Sequence, residues 1–245
     1  MLYNGLVLTE LSCGADDIGI KLDCSQLNRF ETYHRELIAW NQKTNLTRIT
    51  SYEDVQIKHF LDSLTVALAL PRPIMTGRNL LDIGSGAGFP GLPLKILFPE
   101  IHLVLLEATS KKAAFLEHIT SALNLSETAV LAMRAEEAAH LPPYRAHFDV
   151  VVSRAVAELP TLLELTLPFC RLNGCVIAMK KGDIQAELEQ STRALGLLGG
   201  RISEVKEVSL PGIADKRFLV VTTKTAPTPA AYPRRPGMPA KKPLV

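Results

Sequence analysis

Asp82-Ile83-Gly84-Ser85-Gly86-Ala87-Gly88-Phe89-Pro90-Gly91 lies directly after an apolar run and directly before an amphipathic one. Glycine has no Cβ, so the backbone here can turn sharply and let a ligand approach where any side chain would collide. The helix that follows offers unpaired N–H groups to the same place. Strand, glycine-rich turn and helix in this order predict a nucleotide site at the carboxyl edge of a parallel sheet. A plain glycine-rich turn is the duller alternative, and the sequence further along weighs against it.

Outward from this loop, short apolar runs alternate with amphipathic stretches, the pattern of strand-helix units feeding a parallel sheet. Strands are expected at 79–84, 101–107, 128–133, 148–153, 174–180, 202–210 and 217–223, and helices at 91–97, 111–123, 158–172 and 183–198. Gly199-Gly200 suits a left-handed helix end. The last two strands are joined only by a turn near Pro211-Gly212 and should pair antiparallel. Upstream, Leu27, Phe30, Tyr33, Leu37 and Ile38 recur at helical spacing behind Ser25 as a candidate N-cap. A second helix is expected over 53–69, and Pro71-Arg72-Pro73 marks a boundary between a helical segment, 1–76, and the α/β domain, 77–225. Residues 226–245 hold six prolines with no apolar periodicity and read as a disordered tail.

Glu107 ends the second expected strand, where doubly wound sheets place the acid that receives the ribose hydroxyls of an adenine nucleotide. Which nucleotide follows from spacing. Gly86-Ala87-Gly88-Phe89-Pro90-Gly91 satisfies GxGxxG, so an NAD(P)-dependent dehydrogenase is a rival. Counted from the strand end, however, the loop is Gly84-x-Gly86-x-Gly88, and Phe89 stands in the slot of the third dinucleotide glycine. That pattern is the one of S-adenosylmethionine (SAM) methyltransferases. SAM has no phosphate to cradle, and a carboxylate such as Asp82 can complement its cationic methionine half.

The 245 residues, 47% apolar and 21% charged, suffice for a large core and exclude wholesale disorder. A formal charge of +2 is too balanced for a nucleic-acid coat protein. Four of the 27 cations and none of the acids lie in 226–245, so the basic excess sits in the tail. No apolar run reaches the roughly 18 residues of a membrane span, and Met1 to Gly14 lacks the layout of a secretory signal, so a cytoplasmic location is expected. Cys13, Cys24, Cys170 and Cys175 show neither CxxC spacing nor neighbouring histidines and read as reduced thiols, with no metal site.

Several stretches together resemble the RsmG/GidB family of bacterial 16S ribosomal RNA methyltransferases. They are the loop with its Phe-Pro-Gly ending, Arg134-Ala135-Glu136-Glu137, Ser153-Arg154-Ala155, Trp40-Asn41, Asn45-Leu46-Thr47, His59-x-x-Asp62-Ser63, Lys181-Gly182 and Arg217-x-Leu219-Val220-Val221. The likeness spans about residues 25 to 223. It implies a class I SAM-dependent fold, with seven mostly parallel strands and an antiparallel last one, behind a helical segment. It implies methylation of a guanine N7 in the decoding-region loop of 16S rRNA, by a monomer acting on that RNA or on the small ribosomal subunit. By the same likeness Gly84 and Phe89 line the cofactor loop, Ala135 and Glu136 lie beside the adenine, and Arg154 stands between cofactor and substrate, catalytic in the sense of positioning. Asp82, Gly86, Gly88 and Glu107 join the cofactor residues from the reading of the loop and strand end.

Guanine N7 carries an in-plane lone pair and no proton, so its methylation needs alignment rather than a general base. Arg154 suits that work, because its fork can donate two hydrogen bonds to a base edge or an RNA phosphate, or bind the cofactor's carboxylate, so it is expected among the cofactor-binding residues as well. A strand-end arginine paired with a nearby acid is the bland alternative. Lys180, Lys181 and His59 are the candidate RNA contacts, with Lys58, Lys111 and Lys112 on the same edge. Each could also be an ordinary surface or core residue. Neither Cys170 nor Cys175 is placed as the nucleophile that pyrimidine C5 methylation requires. A non-catalytic RNA- or nucleotide-binding module is the remaining alternative.

Overall fold

The computed structural model describes residues 8–70 and 77–245. The expected boundary at 71–73 and residues 1–7 lie outside the described residues. Helix α1 is Thr9–Asp17 and α2 is Cys24–Thr44. The N-cap of α2 is Asp23 rather than Ser25. Its carboxylate accepts from Gln26 N–H at 2.8 Å while the Gln26 amide oxygen accepts from Asp23 N–H at 2.9 Å. This reciprocal capping box satisfies two backbone donors and is worth about 1 kcal/mol.

The expected helix over 53–69 is a composite. An α-turn, α3 (Tyr52–Val55), passes into a π-helical stretch, Gln56–Leu61, then into α4 (Asp62–Leu64) and a 3-10 turn, Thr65–Ala69. Wide π turns tend to occur at functional sites, and this one carries His59.

The remainder alternates strand and helix: β1 Asn79–Ile83, α5 Gly91–Leu97, β2 His102–Leu106, α6 Ser110–Ala122, β3 Thr128–Leu131, α7 Ala135–Ala138, β4 Phe148–Arg154 and α8 Leu159–Thr166. Then come β5 Cys170–Lys181, α9 Gln185–Gln190, α10 Thr192–Leu198, β6 Gly200–Val208, β7 Arg217–Lys224 and α11 Met238–Lys241. The single turn α7 has no counterpart among the expected helices, and the helix expected over 158–172 stops at Thr166 because the next strand already begins at Cys170. The helix expected over 183–198 is broken at Ser191, and Gly199 closes α10 in the left-handed region at φ 75°. The sheet order is β3-β2-β1-β4-β5-β7-β6. Strands β1 to β5 pair in parallel, and β7 runs antiparallel between β5 and β6.

Both faces of the sheet are covered. Leu80, Leu103, Leu105, Val150 and Val152 pack under α5, α6 and the helices of 8–70, while Leu81, Ile83, Val151 and Val176 pack under α8 and α10. Phe30, Tyr33, Leu37, Phe60 and Leu61 are fully buried in the first of these cores. Each such side chain contributes roughly 1.5–3 kcal/mol by leaving water. The helices before β1 thus share the sheet's core, which fixes them against the glycine loop.

Residues 226–245 correct the expectation of a disordered tail. They form a strap over α7 and α8. Arg234 donates to Glu164, a fully buried carboxylate on α8, at 2.6 and 2.9 Å, and Leu244 is buried in the second core. Prolines lack one backbone donor each, and the strap's carbonyls find partners in distant side chains, so order here needs no local periodicity.

Candidate active site

The glycine loop crosses the carboxyl end of β1 with Gly84, Gly86 and Gly88 at φ 68°, 60° and 96°, a region that favours glycine. Asp82 lies beneath it. Its Oδ2 accepts from Gly91 N–H at 2.8 Å, and the side chain is wholly buried. Burial raises its pKa to about 7. The sequence reading set Asp82 against the cofactor's cationic half; the structure instead makes it the brace that fixes where α5 begins.

Glu107 stands one strand away, as expected. Its Oε2 accepts from Gly86 N–H at 2.9 Å and its Oε1 from Thr109 N–H at 2.8 Å. A carboxylate accepts about four hydrogen bonds, so each oxygen keeps a lone pair for a ribose hydroxyl. A Cβ on Gly86 would meet nothing nearer than the Gly84 carbonyl at 3.8 Å, so the loop is open on that side. These features fit the adenosine half of SAM.

The loop's far side is held from α2. Tyr33 donates its hydroxyl to the Ala87 carbonyl at 2.5 Å, and its ring stacks on Phe89 at 5.4 Å. His59 stacks on Phe89 from the π-helical stretch at 4.5 Å. Phe89 is thereby buried between two rings, which explains why a side chain and not a glycine occupies this slot.

Arg154, the last residue of β4, lies over the Phe89 ring at 4.9 Å. Its Nη1 donates to the Lys58 carbonyl and to Asp62 Oδ2, both at 3.0 Å, and its Nη2 donates to His59 Nδ1 at 3.1 Å. A guanidinium only donates, so His59 Nδ1 bears a lone pair and Nε2 carries the proton, which points at Thr47 Oγ1, 2.8 Å away. Burial and the neighbouring Arg154 charge lower the His59 pKa to about 3. His59 is therefore a neutral brace for Arg154, not the RNA-facing contact the sequence suggested. Asp62 also lies 3.6 Å from Arg217 Nη1, so one buried carboxylate serves two arginines. The His59–Asp62 spacing of three carried the signal for this pairing.

Beside Arg154 opens a cleft of about 370 Å³ at the carboxyl ends of β4 and β5. Val156 joins it to the loop, since it lines the cleft and a Cβ on Gly84 would lie 2.5 Å from its Cγ2. Met179 and Leu219 give the cleft an apolar part, and Arg154, Lys180, Lys181 and Arg217 supply cations. Lys180 is turned inward, 2.5 Å from Glu187 and 2.9 Å from the Ala157 carbonyl that accepts from it. Lys181 is exposed at the rim. Asp62 and Arg217 stood in the sequence only as marks of the family resemblance, without a role in the cleft, and Val156 was not singled out, because strands and helices far apart in the chain bring them together here. Ala135 and Glu136 open α7 after β3, on the same edge as Glu107, whose N–H donates to the Leu131 carbonyl at 3.1 Å. Glu136 Oε1 accepts from Gly237 N–H of the strap at 2.9 Å.

Solved structures share this sheet. The ribosomal protein L11 methylase of Lactobacillus delbrueckii subsp. bulgaricus aligns over 69% of this chain and 79% of its own at TM-score 0.52 and 14% identity. M. jannaschii TYW2, determined in complex with AdoMet, aligns over 66% of this chain and 74% of its own at TM-score 0.51 and 12% identity. Sheet order and glycine loop thus define a class I SAM-dependent methyltransferase fold. The family described as rRNA small subunit methyltransferase G matches residues 26–217. A protein of that name from Dehalococcoides mccartyi is 54% identical over 97% of this chain and 100% of its own length. Another from Acetivibrio thermocellus is 44% identical over 94% of each. The chain belongs to the rRNA small subunit methyltransferase G (GidB) family.

Proposed function

We propose that this protein methylates N7 of a guanine in the decoding-region loop of 16S rRNA, with SAM as donor. Membership of the family, over nearly the whole chain, is the observation that carries the reading. SAM bound at the glycine loop supplies a methyl carbon made electrophilic by its sulfonium. Gly84, Gly86, Gly88 and Phe89 shape that loop, Glu107 receives the ribose, and Ala135 and Glu136 flank the adenine. Asp82 serves the site indirectly, by fixing the loop against α5.

The arrangement suits alignment without proton transfer. N7 has no proton to lose, and the histidine nearest Arg154 has both ring nitrogens engaged. Arg154 is the residue that holds the incoming guanosine, through O6 or phosphate, while its other donors stay on Asp62 and His59. Positive charge passes to the purine during transfer, so a guanidinium aimed at N7 itself would oppose the reaction. Lys181 and Arg217 offer phosphate contacts at the cleft. The protein acts as a monomer in the cytoplasm, on 16S rRNA or the small subunit. Among the described residues no helix is long and apolar enough to cross a membrane.

The test is methyl transfer from tritiated SAM to small subunits and to naked 16S rRNA, beside calorimetry with SAM and NAD. The expected result is label recovered as N7-methylguanosine, with Arg154→Met slowing turnover far more than it weakens SAM binding. Label on another base, or NAD binding without SAM binding, contradicts the reading.

A further inference from the structure

The matched family region ends at residue 217, and the strap lies beyond it. The strap bonds to α7, to the turn that follows α7, and to α8. Gly237 N–H donates to Glu136 at 2.9 Å, and His140 Nε2 donates to the Pro233 carbonyl at 2.9 Å. Arg145 knits the two together. Its Nη1 donates to the Ala139 carbonyl and to the Tyr232 carbonyl of the strap, each at 3.0 Å. Its Nη2 donates to the Thr228 and Pro229 carbonyls at 3.0 and 3.1 Å. On its other side the strap is fixed to α8 by the Arg234–Glu164 pair and by Thr161, which donates to the Pro239 carbonyl at 3.1 Å.

Helix α7 spans only four residues, far short of the roughly 12 to 15 an isolated helix needs to persist in water. Its position therefore depends on tertiary bonds: the strap supplies one directly, Gly237 to Glu136, and holds the turn that follows through His140 and Arg145. Ala138 and Ala139 add only two small buried groups. The same single turn carries Ala135 and Glu136.

We propose that the strap 226–245 is a working part of the cofactor site: anchored on α8, it positions α7 and so sets the adenine wall. This rests on the SAM reading above. Arg145 and Gly237 are then positioning residues that act through α7 without touching the cofactor. The strap gives this chain a means of holding the wall that the matched region 26–217 does not include.

The test compares wild type with Arg145→Met, Arg145→Lys and Gly237→Pro, which leave the Arg234–Glu164 pair in place, and with a chain ending at Thr225. Gly237 has φ 79°, so proline removes both the donor and the turn. Hydrogen exchange on the cofactor-free protein should rise at residues 133–140 in Arg145→Met and Gly237→Pro and stay unchanged at the glycine loop. Calorimetry should show SAM binding weakened by about fivefold, the equivalent of one lost net hydrogen bond. Arg145→Lys should recover part of that loss. If the shortened chain does not fold, the point variants still decide. Wild-type SAM affinity in both point variants, or unchanged exchange at 133–140, overturns the proposal. A wild type that fails to bind SAM overturns instead the reading on which it rests.

Discussion

Replacing Asp62 by Asn removes the charge that Arg154 and Arg217 share while nearly preserving shape. Asp62 is 2% exposed and accepts from Arg154 at 3.0 Å, with Arg217 at 3.6 Å. Breaking a wholly buried ion pair from one side costs about 3–5 kcal/mol. Here the arginine side chains are 16% and 22% exposed and can draw water from the cleft, so the loss is nearer that of one charged hydrogen bond, about 2 kcal/mol. For a chain of this size that lowers Tm by about 4 to 8 °C. Arg154 keeps its bonds to Lys58 and His59 but loses its orienting charge, so turnover should fall with SAM affinity little changed. The assay is a double-mutant cycle with Arg154→Met, read by urea unfolding and by methyl transfer. A coupling energy of about 2 kcal/mol is expected, because the two residues act as one unit. Additive effects, with coupling below about 0.5 kcal/mol, would refute the idea that Asp62 works through Arg154.

Gly86→Val should abolish SAM binding at a folding cost of about 1–2 kcal/mol, since a Cβ there comes no nearer than 3.8 Å to the Gly84 carbonyl and the main cost is that of the left-handed backbone. Gly84→Ala should cost more stability, because its Cβ would press on Val156; isothermal titration and thermal melts separate the two. The pH profile of stability should be flattened by opposing groups. His59, depressed to about 3, stays neutral in the fold while the unfolded chain protonates below about 6.5, so its contribution is lost as pH falls. Asp82, raised to about 7, stays protonated in the fold while the unfolded chain ionises above about 3.9, so its contribution is lost as pH rises. Urea midpoints between pH 4 and 6.5 should therefore climb with pH in Asp82→Asn and decline in His59→Gln, by up to about 1.4 kcal/mol per unit; parallel profiles would contradict both assignments. Arg234→Met should cost about 3–5 kcal/mol by leaving Glu164 buried without its partner, and Glu164→Met in addition should restore most of it.

Much of the architecture was legible because it is written locally. Short apolar runs marked all seven strands, and the glycines between Ile83 and Pro90 marked the loop where the backbone must turn left-handed. Glu107 was legible through its place at a strand end. What escaped reading depends on partners remote in the chain. The strap is ordered by Arg145 and Glu164, some 70 to 90 residues away, so its prolines resembled a loose tail. Asp82 seemed to face a ligand because acids near glycine loops often do, yet the central strand buries both its faces and turns this carboxyl toward Gly91. The π-helical stretch leaves no mark in apolar spacing, so His59 was assigned to the RNA rather than to Arg154.

The account is tested most directly on 16S rRNA from cells with and without this protein, reduced and treated with aniline, which cuts at N7-methylguanosine. It predicts one cut in the decoding-region loop that disappears without the protein and returns with the wild-type chain but not with Gly86→Val. A cut that persists in its absence, or one lost elsewhere in the RNA, would contradict it.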